Sequence, residues 1–213
     1  MHCFWPRTAA WIDSLVVDLG LLRLPVNRPV ELVPGIWRSN QPTPWRLKRL
    51  AANGFQSVLN LRGVGHSGSF HLERYYCDQL GLRLFSLKLS SRRPPTQAQW
   101  AQLLHILDEA PKPLLVHCKS GADRAGLVAA LVQLRSGATV PTAQKQLSLR
   151  YLHIKQAATG MMDYIIERFD LERKPGQSLD AWLADGYDRE RLVREFKTQG
   201  KGSWLVEWVL RRE

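Results

Sequence analysis

One run of residues limits what this chain can become more than any other: Leu114-Leu115-Val116-His117-Cys118-Lys119-Ser120-Gly121-Ala122-Asp123-Arg124-Ala125-Gly126, followed by Leu127-Val128-Ala129-Ala130-Leu131. A short apolar stretch, a polar stretch carrying glycine and a second apolar stretch read as buried strand, loop and helix. A loop that leaves a buried strand and opens a helix points successive backbone N–H groups, and the positive end of the helix dipole, at one spot. That spot is an anion cradle. A cysteine at its start is held as thiolate by the same field, and an arginine entering the helix can grip two phosphate oxygens with its planar fork. Cys118 and Arg124 are therefore expected to meet across a bound phosphate, with Lys119, Ser120, Gly121 and Ala122 wrapping it. The expected fold is α/β: a central, mostly parallel sheet flanked by helices, with the phosphate-binding loop between a buried strand and a helix.

His117, Cys118 and Arg124 stand in the order His-Cys, five residues, Arg. This resembles the signature of the cysteine-based protein tyrosine and dual-specificity phosphatases. A second stretch, Gly35-Ile36-Trp37-Arg38-Ser39-Asn40-Gln41-Pro42, is similar to the opening of the small atypical dual-specificity phosphatases, and the likeness spans residues 30–170. The resemblance implies a phosphomonoester phosphatase working through a phosphocysteine. Its substrates would be phosphotyrosine, phosphoserine or phosphothreonine proteins, or phosphoinositide-like lipids. No cofactor and no metal are implied.

Two departures from that family matter. The loop Ser90-Ser91-Arg92-Arg93-Pro94-Pro95 occupies the place of the family's usual general-acid aspartate, yet no carboxylate lies between Gly81 and Asp108. The nearest acid in sequence is Asp123; an Asp-Arg pair in this loop is similar to that of myotubularin-like lipid phosphatases, which implies an acid working from within it. Asp123 also suits a helix N-terminus through the dipole alone, and Glu73 and Asp78 stand as the fallback acids. His117 reads as a residue orienting the cysteine. The second departure is Ala125, where the family usually carries a Ser or Thr whose hydroxyl can donate to the cysteine sulfur.

Other function classes use a cysteine anion loop. An arsenate reductase or sulfur-transfer enzyme is one alternative, although arsenate reductases of the related small-phosphatase type carry the loop near the N-terminus and need resolving thiols. A catalytically silent phosphate-binding module is another, and intact Cys118 and Arg124 argue against it.

The 213 residues, 45% hydrophobic, can bury a full core. Lys and Arg outnumber Asp and Glu by 30 to 19, a net charge of +11 that favours polyanionic partners. An anionic phosphorylated protein, phosphoinositide or other phospholipid is the expected partner, peripheral membrane contact is compatible with the charge, and no nucleic acid is expected. Oligomeric state is not legible. Cys3, Cys77 and Cys118 are odd in number and widely spaced, the usage of a reduced, cytoplasmic protein. Asp13 and Asp18 interrupt the apolar runs that a signal core or membrane span would need.

In chain order, Trp11, Ile12, Leu15, Val16, Leu19 and Leu22 predict an amphipathic helix over residues 8–23. Residues 1–29 are thus an N-terminal helix and connector, 30–170 a phosphatase domain, and 171–213 a helical extension of the same domain. A short strand pair ending at Gly35-Ile36-Trp37, a helix from Thr43-Pro44 to Ala52, a strand over 55–61, a helix over 69–80 and a strand over 82–89 follow. Then come a helix from Thr96 to Ala110, the central run with its helix to Ser136, and helices over 141–151 and 157–169. The glycine-rich segment 62–68 is placed near the phosphate site, and Lys155 and Gln156 are candidate residues bordering the pocket. Trp204, Leu205, Trp208 and Val209 form an apolar stripe near the end.

Overall fold

Gly35, in a left-handed conformation (φ +80°), turns the chain sharply enough for β1 (Val30–Val33) to pair antiparallel with β2 (Ile36–Ser39). The glycine sits in the turn of the predicted pair and not at its end. The computed structural model describes residues 28–198. Cys3, the helix expected over 8–23 and the stripe from Trp204 to Val209 lie outside the described residues.

The sheet has five strands in the order β1-β2-β5-β3-β4, where β3 is Ser57–Asn60, β4 Arg83–Ser86 and β5 Leu114–His117. All pairings after the first are parallel, so the sheet is mixed and mostly parallel, as expected. Every residue of β3 and β5 is buried, in keeping with the apolar pairs and runs at their centres, Val58-Leu59 and Leu114-Leu115-Val116.

Helix boundaries follow local chemistry. Thr43 caps α1 (Pro44–Ala52) by accepting the Arg46 N–H, with Pro44 at the first helical position. Ser67 caps α2 (Gly68–Gln79) through the Phe70 N–H. Leu47 and Leu50 of α1 and Cys77 of α2 pack with Val58, Leu82 and Leu115 into one apolar cluster against the sheet. Further along are α3 (Gln97–Glu109), α4 (Asp123–Arg135), α5 (Val140–Gln144), α6 (Met161–Glu172), α7 (Leu179–Asp185) and α8 (Arg189–Thr198). Two 3-10 turns, Leu149–Tyr151 and Ala158–Gly160, interrupt the segments predicted as helices over 141–151 and 157–169.

The chain falls into two compact units, one of residues up to Lys88 with Ile106–Gly121, the other of Leu89–His105 with residues from Ala122 onward. In the second, α4 is buried without a break from Ala125 to Val132 and packs on α5, α6 and α7. No helix among the described residues is long and apolar enough to cross a membrane.

Candidate active site

Ser39, His117 and Asn60 sit side by side in register at the carboxyl ends of β2, β5 and β3. In parallel sheets this is the edge where ligands bind. Cys118 follows β5 directly and is buried. His117 is fully buried; its Nδ1 lies 3.2 Å from the Cys118 carbonyl, and its Nε2 lies 2.6 Å from Glu73 Oε1, out of hydrogen-bond alignment. The second oxygen of Glu73 accepts from Asn60 Nδ2 at 2.7 Å. Glu73 is thus enclosed behind the strand ends, against His117 and Asn60. Asp78 is exposed on α2.

The loop after Cys118 is tied to the segment after β2. Arg38, 1% exposed, donates from Nη2 to the Gly121 carbonyl. The Gln41 N–H donates to the Lys119 carbonyl at 3.2 Å. Gln41 Oε1 in turn accepts from Arg62 Nη1 at 2.9 Å, and the same nitrogen donates to Ser69 Oγ at 3.0 Å. The glycine-rich segment therefore supports the loop through Arg62. Gly121 has φ +78°, a conformation that a side chain rarely adopts. The sequence signal for Arg38 is a cation inside a strand just ahead of the polar Ser39-Asn40-Gln41.

In the second unit, α4 opens at Asp123 with no side-chain cap, unlike α1, α2 and α7. Arg124 Nη1 reaches the Leu89 carbonyl at 3.5 Å, the long limit of a hydrogen bond, while its Nε is buried without a hydrogen-bond partner. Asp123 Oδ1 lies 2.7 Å from His153 Nδ1, and the opposite ring nitrogen, Nε2, lies 2.5 Å from Asp163 Oδ2. Burial pulls the His153 imidazole down, but the hydrogen bonds and charges of Asp123 and Asp163 outweigh it and push the group up to about 9. The sequence points to Lys155 and Gln156 as residues bordering the pocket, whereas the structure sets His153, two residues before Lys155, against Asp123. Lys155 and Gln156 are both exposed, and Lys155 Nζ pairs with Glu167 at 2.5 Å.

The loop over residues 90–95 is anchored. Ser90 Oγ accepts from the N–H groups of Arg92 and Arg93, both at 3.1 Å. The Pro95 and Pro94 carbonyls accept from Tyr187 Oη at 2.5 Å and Arg189 Nε at 2.9 Å. Tyr187 is itself packed edge-on against Trp100 and Trp182. Arg92 and Arg93 remain exposed. Cys77, by contrast, is buried in the apolar cluster, where desolvation and then the charge of Glu73 push its thiol up to about 12.

Solved structures share this architecture. The core catalytic domain of the PP-IP phosphatase SIW14 from S. cerevisiae matches with a TM-score of 0.55 at 17% identity, over 68% of this chain and 88% of that one. TpbA of P. aeruginosa matches at 0.52 and 19%, over 78% and 88%. A DUF442 protein of Shewanella putrefaciens CN-32 matches at 0.57 and 18%, over 72% and 96%. No curated protein sequence matches. The family model of the DSP-PTPase phosphatase fused to NAD+ kinase matches residues 29–161, which carry the strand, the loop with Cys118 and Arg124, and the helix that follows. With that match over more than half of its length, the chain belongs to this DSP-PTPase phosphatase family.

Proposed function

We propose that the protein is a phosphomonoester phosphatase acting through a phosphocysteine on Cys118, in the cytoplasm, with residues 30–170 as its catalytic part. The observation that carries this reading is Arg124. It stands in the first turn of a helix with no side-chain cap, and its buried Nε has no hydrogen-bond partner. A buried guanidinium donor left unpaired is costly, and a phosphate oxygen would satisfy it.

In this reading the Cys118 thiolate attacks phosphorus as the bond to the leaving oxygen breaks. Backbone N–H groups from Lys119 to Arg124 and the Arg124 fork hold the three equatorial oxygens. Asp123 gives the leaving oxygen its proton. Water then attacks the phosphocysteine, releases phosphate and restores the thiolate. Lys119, the exposed Arg92 and Arg93 and the +11 charge favour a multiply phosphorylated or membrane-anchored anion such as a phosphoinositide, with phosphotyrosine, phosphoserine and phosphothreonine proteins as the second class.

Phosphate release from a panel of phosphopeptides, phosphoinositides and sugar phosphates tests the reading, with Cys118→Ser as control. Release from one or more classes, abolished in Cys118→Ser, is expected. Wild-type rates in Cys118→Ser would overturn it.

A further inference from the structure

We propose that Asp123, His153 and Asp163 form a buried proton relay in which His153, as a positioning residue, stores the proton that Asp123 delivers to the leaving oxygen. The relay rests on the phosphatase reading above and explains how a carboxylate can serve as acid there. A free aspartic acid, with a pKa of about 3.9, has no proton to give at neutral pH.

The geometry supplies one. Each ring nitrogen of His153 faces a carboxylate oxygen, Asp123 Oδ1 at 2.7 Å and Asp163 Oδ2 at 2.5 Å. A neutral imidazole carries only one N–H, so one of the two contacts would set a lone pair against carboxylate lone pairs. Both contacts are satisfied only when the three groups hold one proton more than a neutral ring between two carboxylates. That proton sits either on the ring or on a carboxyl, and the group's elevation to about 9 agrees with the first form at rest.

The cluster opens at one end. The His153 side chain is fully buried and Asp163 is 6% exposed, whereas Asp123 is 22% exposed, so Asp123 is the exit for a proton. Asp123 and Asp163 are the charges that act on the ring; Arg124 follows Asp123 in sequence, and Lys155, two residues after His153, pairs with Glu167 of α6. Two backbone features shape the loop that carries the ring. Leu152 is left-handed (φ +62°), and a Cβ on Gly160 would meet the Lys155 carbonyl at 1.9 Å, which closes the loop from His153 to Gly160 tightly. The three side chains do not converge on one point, and no group among the described residues has metal-holding geometry.

The steps balance. As the S–P bond forms and the P–O bond breaks, the leaving oxygen takes a proton from Asp123, which takes one from His153 Nδ1. His153 is left neutral, with its Nε2–H still donated to Asp163. When water attacks phosphorus and the S–P bond breaks, the water proton returns through Asp123 to Nδ1, and thiolate and imidazolium are both restored.

The test is the pH profile of kcat and kcat/KM for phenyl phosphate and for an activated nitrophenyl phosphate, in wild type, His153→Gln, Asp163→Asn and Cys118→Ser. Removing an acid costs about 10²–10⁴-fold when the leaving group needs the proton. His153→Gln should therefore lose about 100-fold on phenyl phosphate and little on the activated ester. Asp163→Asn keeps an acceptor for Nε2–H but removes a countercharge, so the basic limb for phenyl phosphate should move to lower pH. Equal losses on both esters in His153→Gln, or an unmoved limb in Asp163→Asn, would overturn the relay. If Cys118→Ser is inactive while His153→Gln keeps the wild-type profile, only the relay falls; if Cys118→Ser is active, the phosphatase reading falls first. Nuclear magnetic resonance of wild type at pH 7.5 needs no variant to fold. An imidazolium, or a neutral ring beside one protonated carboxyl, supports the stored proton, and a neutral ring between two ionised carboxylates refutes it.

Discussion

Arg38→Met separates a strand residue that merely stabilises the fold from one that shapes the catalytic loop. The guanidinium is buried on β2 and donates to the Gly121 carbonyl, 83 residues away in sequence. Methionine fills similar space with an unbranched apolar chain, so packing is largely kept and the carbonyl loses this donor. A buried acceptor stripped of its partner costs about 1–3 kcal/mol. If the loop relieves that cost by moving, the whole of it appears in the barrier. At tenfold per 1.36 kcal/mol, kcat/KM for an aryl phosphate then falls by about fivefold to about 150-fold. Stability in urea falls as well. Arg38→Lys, without the planar fork, should recover little of either. A kcat/KM unchanged within about twofold in a variant that loses stability would refute the reasoning, because the carbonyl's partner would then matter to the fold and not to the transition state.

Further predictions follow from single positions. Ala125, buried in the first turn of α4, cannot donate to the Cys118 sulfur; a lost hydrogen bond to a charged group is worth roughly 1.5–3 kcal/mol. Breakdown of the phosphocysteine should then be slowed about ten- to a hundredfold, giving a burst of leaving group that shrinks in Ala125→Ser. No burst in wild type together with an unchanged steady-state rate in Ala125→Ser would show that another donor serves the sulfur. His153, raised from 6.5 to about 9 in the folded protein, contributes stability that is fully present below pH 6.5 and is lost as pH rises through about 9. The contribution is of the order of 3 kcal/mol, and the urea midpoint of wild type should fall across that window more steeply than that of His153→Gln; parallel curves would contradict it.

What the sequence reveals and what it hides divides along locality. The strand into Cys118, the Thr43 cap and the helix from Asp123 are written in contiguous residues, and each appears where expected. The strand expected over 82–89 is only Arg83–Ser86, because β4 is an edge strand whose partner β3 ends at Asn60. The helix expected over 141–151 breaks after α5, where Ser148 adopts an extended conformation (φ −137°) and its hydroxyl bonds the Lys145 carbonyl, a local alternative to the helical ladder. Arg38 with Gly121, and His153 with Asp123 thirty residues away, are tertiary pairings with no periodicity to announce them. Their chemistry became readable only once β2 was placed beside β5 and the loop before α6 beside the start of α4.

The central claim is a covalent bond between Cys118 and phosphorus. Mixing the protein with an activated aryl phosphate, quenching with acid within one turnover and sequencing the digested peptides by mass spectrometry tests it directly. A phosphoryl group on the Cys118 sulfur should accumulate in wild type, lessen in Ala125→Ser and be absent from Cys118→Ser. Steady turnover with no phosphate on Cys118 at any quench time, in wild type and in Ala125→Ser alike, would contradict it.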